Sequence, residues 1–414
     1  MTPPAIRNRD RRTLSRRLRM AGTGLSAAIV LCLATVLLAQ QAPATAVNVV
    51  LLDGTRITGS LQRMDQRQIQ LDGAAARHFD YDEVLAIELP EPALSLPPPA
   101  TLEFANGDRI SVEVAATEDD YLQAHWHGTP LGVPLAELRG VLFRPIDAEG
   151  SLAGLMFRES GSDDLVLLSN GDHLAGRFVA LAGQELVLET EGRELRVPRN
   201  RLTAVAFSPE LIAGDRQISR RQIVETTSGS LSVRDLSRRE DGSWQAQSLF
   251  GESIVLPVGV VRRVLFASDN TVFLSDLEPS AVEFTPYLDT TWPLRTDRAV
   301  TGEPLSVAGR NYAKGIGVHS RCRVSYNLAG EYAALHAVAG LAESAGEIGS
   351  VEFAIELDGR EVVRTGPVSL RDPAVPINNL DLGGVETLVL TVDFGRNGDI
   401  RDRANWCDAI LVKK

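Results

Sequence analysis

Several residue types that would point to particular kinds of protein are scarce in this 414-residue sequence. Lysine occurs only as Lys314, Lys413 and Lys414, so almost every long cation is an arginine. Aromatic residues make up 5% of the chain, and there are 3 cysteines. The formal net charge is −12, and an acidic protein repels phosphate backbones, which argues against nucleic acid as a partner.

The short motifs of common catalytic sites are also missing. The sequence has no Gly-x-Ser-x-Gly, no His-Glu-x-x-His and no phosphate-binding loop. The two histidines within residues 125–127 have no third ligand at metal spacing. Motifs do not exclude a glycosidase, because its paired carboxylates have no fixed spacing. We therefore expect a protein that is not an enzyme and that needs no catalytic cofactor.

One long apolar run is present, and it lies near the N-terminus. Residues 1–20 carry seven arginines against one aspartate, and residues 21–39 are apolar apart from small polar residues. Residues 44–46 are Ala-Thr-Ala, the small-x-small pattern of a signal peptidase site. Residues 1–46 are therefore predicted to be a secretory signal helix. The run is also long enough to remain as a membrane anchor, the one membrane contact expected. Export would place the protein in the periplasm, at the cell surface or outside the cell.

Residues 47–268 repeat one pattern four times. Each copy opens with an apolar run and a turn glycine, continues with alternating apolar residues, and ends in a further apolar strand after an Asp or Pro. Such turns favour tight hairpins, and the alternation favours half-buried strands. The pattern resembles small SH3-like or Sm-like β-barrels. We place the four repeats at residues 47–90, 98–145, 164–209 and 219–268.

From residue 270 the sequence changes to longer alternating strands. Residues 323–328, 350–363 and 386–395 alternate apolar and polar side chains, and Asp358-Gly359 is a strong hairpin turn. No segment with helical periodicity interrupts these strands. We therefore predict an all-β protein whose last domain is a β-sandwich.

Residues 270–414 resemble the NPCBM domain, a family of carbohydrate-binding modules associated with family 98 glycoside hydrolases. The resemblance rests on landmarks in the family's order: Trp292, Asp297, Gly302, Pro304, Leu305, Gly309, Tyr312, Lys314, Gly315, Gly317, His319, Tyr326, Gly349, Asp358, Gly359, Trp406 and Asp408. It implies a galactose-binding-like jelly roll and a galactose-type saccharide as the ligand. Cys322 and Cys407 depart from the family, which has small residues there.

Four residues of this domain are candidates for contacts with a sugar: Trp292, Lys314, His319 and Trp406. Glycines between Lys314 and His319 allow positive φ or close backbone approach, so we expect a tight turn into a strand. Lys314 and His319 would then flank a fixed loop beside a tryptophan face. A structural interpretation stays open. In it, Lys314 pairs with Asp297 or Asp402, His319 hydrogen-bonds the backbone, and the tryptophans belong to the core.

Two further sets of residues have candidate roles. Asp399, Asp402 and Asp408 could supply oxygen ligands to a structural calcium ion, with capping of turns as the alternative. Cys322 and Cys407 are the cysteines that remain after the signal segment, and an oxidising compartment favours a disulfide between them.

Together these observations predict an exported, non-catalytic protein in which a stalk of β-repeats presents a carbohydrate-binding module to a polysaccharide or glycan. The alternative is a cell-envelope scaffold that binds envelope proteins and no sugar. An exposed aromatic residue beside Lys314 would favour the first hypothesis. A buried one, together with long exposed barrel edges, would favour the second.

Overall fold

The structure, a computed structural model, describes residues 45–72, 76–90, 98–146, 151–213, 220–287 and 290–414. The predicted signal helix lies outside the described residues, except that Thr45 and Ala46 begin the first strand. None of the helices in the described part of the chain has the length and apolar character needed to cross a membrane.

Residues 45–267 form four units of five strands each. Unit 1 contains β1 Thr45–Leu51, β2 Arg56–Met64, β3 Gln68–Asp72, β4 Arg77–Asp80 and β5 Val84–Glu88. Unit 2 contains β6 Ala100–Phe104, β7 Arg109–Glu118, β8 Tyr121–Trp126, β9 Thr129–Pro134 and β10 Leu138–Leu142. Unit 3 contains β11 Asp164–Leu168, β12 His173–Ala182, β13 Glu185–Thr190, β14 Arg193–Pro198 and β15 Leu202–Ala206. Unit 4 contains β16 Arg221–Thr226, β17 Gly229–Arg238, β18 Trp244–Ser248, β19 Ser253–Leu256 and β20 Val261–Ala267.

All four units share one order of strand pairing. In unit 1, β1 to β4 pair in sequence as an antiparallel meander, and β5 returns to pair with β1. Units 2, 3 and 4 repeat this order. In units 1 to 3 a 3-10 turn precedes the last strand, and in units 2 and 3 it follows a proline, whose missing N–H is not needed there. The SH3-like identity of the units stays a prediction.

The units are joined to one another by strand pairs. The last strands of units 1 and 4, β5 and β20, pair antiparallel, as do the last strands of units 2 and 3, β10 and β15. Strand β7 of unit 2 also pairs with β17 of unit 4. One apolar core includes Val49, Trp126, Leu188 and Trp244, one residue from each unit. Sharing a core is expected, because a barrel of this size buries too little surface alone.

A short helix, α1 Ser151–Met156, lies between units 2 and 3. Its Leu152, Leu155 and Met156 pack against Leu142 and Ala206. The helix therefore covers the place where β10 and β15 meet.

Residues 271–413 form the predicted sandwich. Its strands are β21 Thr271–Phe273, β22 Ala281–Phe284, β23 Arg295–Thr296, β24 Leu305–Val307, β25 Arg310–Tyr312, β26 Gly315–His319, β27 Cys322–Asn327, β28 Tyr332–Leu341, β29 Ser350–Leu357, β30 Arg360–Arg364, β31 Val368–Ser369, β32 Val375–Asp381, β33 Thr387–Phe394 and β34 Arg403–Lys413. One sheet has the order β23-β26-β34-β28-β32, with β21 on β34. The other has the order β22-β27-β33-β29-β30, with β31 on β29. Between them lies a core in which Phe353 meets Trp406 edge to face, with ring centroids 5.1 Å apart.

The sandwich packs directly on the repeats. The described residues belong to one compact unit, and a shared apolar cluster joins Leu85 of unit 1 and Leu265 of unit 4 to Phe273 and Ile410 of the sandwich. The expected stalk is therefore wrong, because the outer face of the β21–β34 sheet is buried against units 1 and 4 rather than held away from them.

Buried ion pairs cross the same boundary. Arg263 of unit 4 lies 2.5 Å from Asp408 of the sandwich, and Arg298 of the sandwich lies 2.6 Å from Glu103 of unit 2. These four side chains are each 10% exposed or less, so water does not solvate their charges. Such charges are tolerated only while they remain paired.

We predict that Arg263→Met lowers the free energy of unfolding by about 3–5 kcal/mol, because it leaves buried carboxylates without their cation. Urea unfolding of the full chain measures the change. The matched control is Arg364→Met, whose exposed pair with Glu361 is screened by water and should leave the unfolding midpoint nearly unchanged. Equal changes in the free energy of unfolding for the two substitutions would contradict a buried ion pair between unit 4 and the sandwich.

Candidate functional site

The segment from Lys314 to His319 is a strand and not the predicted loop. Residues 315–319 form β26, which pairs with β34 on one side and β23 on the other. A strand rises about 3.3 Å per residue, so Lys314 and His319 lie roughly 16 Å apart, at opposite ends of β26. The two side chains therefore do not share a site.

The glycines of this segment serve close packing. A Cβ atom on Gly315 would lie 2.4 Å from the carbonyl oxygen of Trp406, and one on Gly317 would lie 2.2 Å from the carbonyl oxygen of Arg298. Neither position can accept a side chain, because backbone atoms do not give way. Close approach of backbone, one of the two reasons that the sequence offered for these glycines, is therefore present at both positions, and Gly315 also has a positive φ of 150°.

The residue directly before β26, Lys314, is a buried cation. Lys314 is 5% exposed, and its Nζ donates to Asp297 Oδ2 at 2.5 Å and to Asp276 Oδ1 at 2.6 Å. Burial acts to lower the pKa of the ammonium, but Asp297 and Asp276 outweigh it, so the pKa of Lys314 is raised. The structure thus has the pairing with Asp297 that the structural interpretation named.

This ion pair extends into the repeats. Asp276 also accepts from Arg221 Nη2 of unit 4, at 2.7 Å. Burial acts to raise the pKa of Asp276, but Lys314 and Arg221 together hold it below its ordinary value. A compact ammonium with three donors can serve two carboxylates at once, which fits a lysine at this position. Lys314 therefore holds Asp276 in place within the sandwich, and Asp276 makes the contact with unit 4 through Arg221.

Trp406 is also part of the framework. It is 1% exposed in the middle of β34 and packs on Phe353 between the two sheets. The aromatic ring nearest the Lys314 ammonium is Phe273, with its centroid 5.6 Å away, and this residue is 1% exposed. No sugar can reach either ring in this arrangement.

The second end of β26 carries an aromatic pair. The Trp292 ring stacks on the His319 imidazole with centroids 5.0 Å apart and an angle of 8° between the rings. The guanidinium of Arg403 lies 5.9 Å from the Trp292 ring centroid. Trp292 is half-buried, whereas His319 is 3% exposed beneath it. Trp292 and His319 are thus the two predicted site residues that the structure brings together.

Hydrogen bonds fix the state of His319. Its Nδ1 lies 3.0 Å from the carbonyl oxygen of Ser320, which can only accept, so Nδ1 carries the proton. Burial lowers the pKa of the imidazole, so the ring is neutral and its Nε2 is an acceptor. His319 also meets the predicted backbone contact, so the structural and binding interpretations are compatible for this residue.

Asp402 braces the loop that follows His319. Its Oδ2 accepts from Ser320 Oγ at 2.6 Å, and its Oδ1 accepts from the Ser350 N–H at 3.0 Å. Burial raises the pKa of Asp402 to about 6. Both carboxylate oxygens therefore already have donors, which makes Asp402 a support for neighbouring loops.

Exposed apolar side chains lie in or beside the loop of residues 395–402, which Asp402 joins to Ser320. Tyr287, Ile348 and Ile400 are 61%, 52% and 55% exposed. Asn397 donates to the carbonyl oxygen of Ile348 at 2.8 Å, and Tyr287 packs edge to face on Phe394 at 5.5 Å. We call the surface formed by Tyr287, Trp292, His319, Ile348, Ile400 and Arg403 the Trp292 end.

The three candidate calcium ligands do not gather. Asp402 is held by Ser320 and Ser350, Asp399 precedes it in the same loop, and Asp408 lies in β34 paired with Arg263. Within the described ranges, no group of three or more His, Cys, Asp or Glu side chains could hold a metal ion. The predicted set is wrong because β34 carries Asp408 away from the other two.

The predicted disulfide is also wrong. Cys322 and Cys407 are buried and free. Cys322 pairs with Val392 in one sheet of the sandwich, whereas Cys407 pairs with Gly315 in the other sheet. Burial raises the pKa of the Cys322 thiol to about 11 and also raises that of Cys407, so both remain protonated.

Sequence reasoning missed Arg403, Tyr287, the second partner of Lys314, Asp276, and the contact of Asp276 with Arg221 of unit 4. The one signal for the ion pair was the isolated lysine itself, since the chain uses arginine elsewhere. Arg221 lies 93 positions before Lys314 and in another unit, so no local pattern could have linked the two.

Lys314→Met should lower the free energy of unfolding at pH 7 by about 3–5 kcal/mol, because Asp276 and Asp297 lose their shared cation. The folded pKa of Asp276 is depressed, so its stabilisation is present above about pH 4 and is lost as pH falls. The difference from wild type should therefore shrink towards pH 3. Thermal melts from pH 3 to 8 measure this, with exposed Lys413→Met as the control. A pH-independent difference would contradict the ion pair.

Comparisons with known proteins agree with the sequence landmarks. The NPCBM/NEW2 domain model matches residues 270–412. No curated protein matches the chain. Among solved structures, the chain is similar to the CBM51 of Clostridium perfringens GH95 in complex with methyl-galactose, at 25% identity over 34% of this chain and 99% of that one, with a TM-score of 0.32.

Two further solved structures are similar to parts of the chain. The CBM51-2 and INT domains of Clostridium perfringens ZmpB, in complex with GlcNAc, have 23% identity over 44% of this chain and 38% of that one, with a TM-score of 0.32. The tandem CBM51 modules of a Streptococcus pneumoniae family 98 glycoside hydrolase have 9% identity over 89% of this chain and 88% of that one, with a TM-score of 0.31. From the family match, residues 270–412 form an NPCBM/NEW2 domain, as the landmark residues predicted.

Proposed function

We propose that the sandwich binds a glycan at the Trp292 end and that the chain is a non-catalytic, exported carbohydrate-binding protein. The observation that carries the proposal is the half-buried Trp292 stacked on a neutral His319, within an NPCBM/NEW2 domain. Sugar sites combine an aromatic wall with a few fixed polar groups. Trp292 provides the wall, the guanidinium of Arg403 lies beside it, and the exposed Tyr287 lies beside Gly398 in the loop that carries Asp402.

The surface at this end fits a saccharide better than a charged ligand. Tyr287, Ile348 and Ile400 offer apolar contacts, and the hydroxyl of Tyr287 can exchange hydrogen bonds with a sugar hydroxyl. A galactose-type sugar is the ligand implied by the resemblance to the NPCBM family. Because the surface is open and its polar groups are few, we expect weak binding, with Kd on the order of 10⁻⁴ M.

The hydrogen bonds of Asp402 support a non-catalytic role. Asp402 has a raised pKa, as a general acid would, but both of its oxygens accept hydrogen bonds from Ser320 and Ser350. Its proton is therefore not directed towards a bound sugar.

The ordered meander of the four repeats, with a fifth strand closing on the first, supports SH3-like barrels that act as a base for the module.

The alternative is a scaffold that binds proteins and no sugar. It is favoured by the burial of Lys314 and Trp406, two of the predicted sugar contacts. Among the strands that the structure describes, β14 pairs with β13 alone, and its Leu195 is 38% exposed. An exposed edge of this kind can accept a strand from a partner protein, although charged residues along it oppose pairing.

Trp292→Ala should weaken binding of a galactose-containing glycan by about tenfold, or 1.4 kcal/mol, because it removes the stacking face. Isothermal titration of the full chain, after a glycan array has chosen the ligand, measures the change. The matched control is Tyr121→Ala, an exposed aromatic residue in unit 2 that should have no effect. The absence of binding to every arrayed glycan would favour the scaffold, and unchanged binding in Trp292→Ala would place the site elsewhere.

A further inference from the structure

A second site lies where units 2 and 4 meet the sandwich. A cavity of about 270 Å³ is lined by Arg109 and Ser111 of unit 2, by residues 225–230 and Arg262 of unit 4, and by residues of the sandwich that include Arg298. We call it the arginine cavity. We propose that it binds a small sugar acid, a monosaccharide that carries a carboxylate, of the hexuronate class.

The side chains that line the arginine cavity carry more positive than negative charge. Glu103 serves two guanidinium groups, with Arg298 Nη2 at 2.6 Å and Arg109 Nε at 3.1 Å. Of the described side chains that line the cavity, Arg109, Arg262 and Arg298 are cations, and Glu225, which lies 3.6 Å from Arg263, is a carboxylate. Glu103 and Glu303 also act on Arg109. The lining itself therefore carries more positive than negative charge in a site of low dielectric. Such a site attracts an anion.

Several donors of these arginines are buried without a hydrogen-bond partner among the described residues. They are Nη1 of Arg109, Nε of Arg262 and Nε of Arg298. Arg298 is 4% exposed as a whole, so its charge is enclosed. A buried donor that makes no hydrogen bond is destabilising. A carboxylate in the cavity would relieve this cost, because guanidinium groups bind carboxylates with paired hydrogen bonds.

A carboxylate oxygen in the cavity lining has no hydrogen-bond donor among the residues that the structure describes, so a ligand that also carries a donor would fit the cavity better. Glu225 is 4% exposed, and its Oε2 has no partner within the described part of the chain, whereas its Oε1 accepts weakly from the Ala313 N–H at 3.4 Å. A ligand hydroxyl could donate to Oε2. Sulfate could not, because it has no proton to give at neutral pH.

Hydroxyl groups complete the lining. Ser111, Thr226, Thr227, Ser228 and Ser230 all border the cavity. The Ser228 hydroxyl is held by the Trp126 Nε1–H at 2.8 Å and by His127 Nε2 at 2.8 Å, so its position is fixed. The second histidine of residues 125–127 therefore orders this wall. A ligand with one carboxylate and several hydroxyls matches arginine donors, a glutamate acceptor and serine and threonine hydroxyls together.

This site is separate from the Trp292 end and does not depend on it. The test is isothermal titration of the full chain with sodium galacturonate, with galactose and sodium sulfate as comparison ligands. We expect galacturonate to bind and to raise the Tm.

Arg109→Gln should weaken that binding at least tenfold, because it removes a cation from the cavity lining. Glu103 would still be paired with Arg298, so the substitution leaves no buried carboxylate without a cation. Exposed Arg360→Gln is the matched control and should have no effect.

Arg262→Gln, in the part of the lining that unit 4 contributes, provides a second variant if Arg109→Gln does not fold, and it should weaken binding likewise. The proposal is overturned if folded wild type does not bind galacturonate, or if both variants bind it unchanged. It is also overturned if sulfate competes at equal affinity, which would mark a simple anion site, or if neutral galactose displaces galacturonate. Galactose binding that survives in Arg109→Gln leaves the function proposed for the Trp292 end intact.

Discussion

A carboxylate shared by a buried lysine of the sandwich and an arginine of unit 4 helps to hold the sandwich and the repeats in one arrangement. Lys314 binds Asp297 and Asp276, and Asp276 passes the interaction to Arg221 of unit 4. A buried charge must stay paired, so this contact admits few relative positions of the two parts. Arg263–Asp408 and Arg298–Glu103 impose the same requirement at two other points. The composite cavities between the parts exist because these pairs hold their walls together.

This constraint also decides which end of β26 can meet a ligand. Lys314 lies where the sandwich faces the repeats, and its ammonium is already paired with carboxylates of the protein. The aromatic pair of Trp292 and His319 lies at the other end of β26. The repeats thus cover one part of the module and leave another open. A rigid base of this kind would fix the direction in which the Trp292 end points, which a flexible stalk would not do.

Much of the fold could be predicted from the sequence, because strand alternation and turn glycines are local signals. The site was predicted less well. Glycines at 315 and 317 fit a loop as well as a close-packed strand, and only the carbonyl oxygens of Trp406 and Arg298 decide between them. The pairing of Lys314 with Asp297 was foreseen as an alternative, but Arg221 comes from another unit. Contacts between units depend on tertiary packing, which no local pattern encodes.

The central claim is that sugar meets the Trp292 end and leaves the Lys314 end untouched. The chain has four tryptophans, so its indole N–H groups give four distinguishable NMR signals. A titration of the ¹⁵N-labelled chain with a galactose-containing glycan tests the claim most directly. The account predicts that the Trp292 indole signal shifts on binding, while the signals of the buried Trp126, Trp244 and Trp406 stay in place. A shift of the Trp406 signal without one of Trp292 would contradict it.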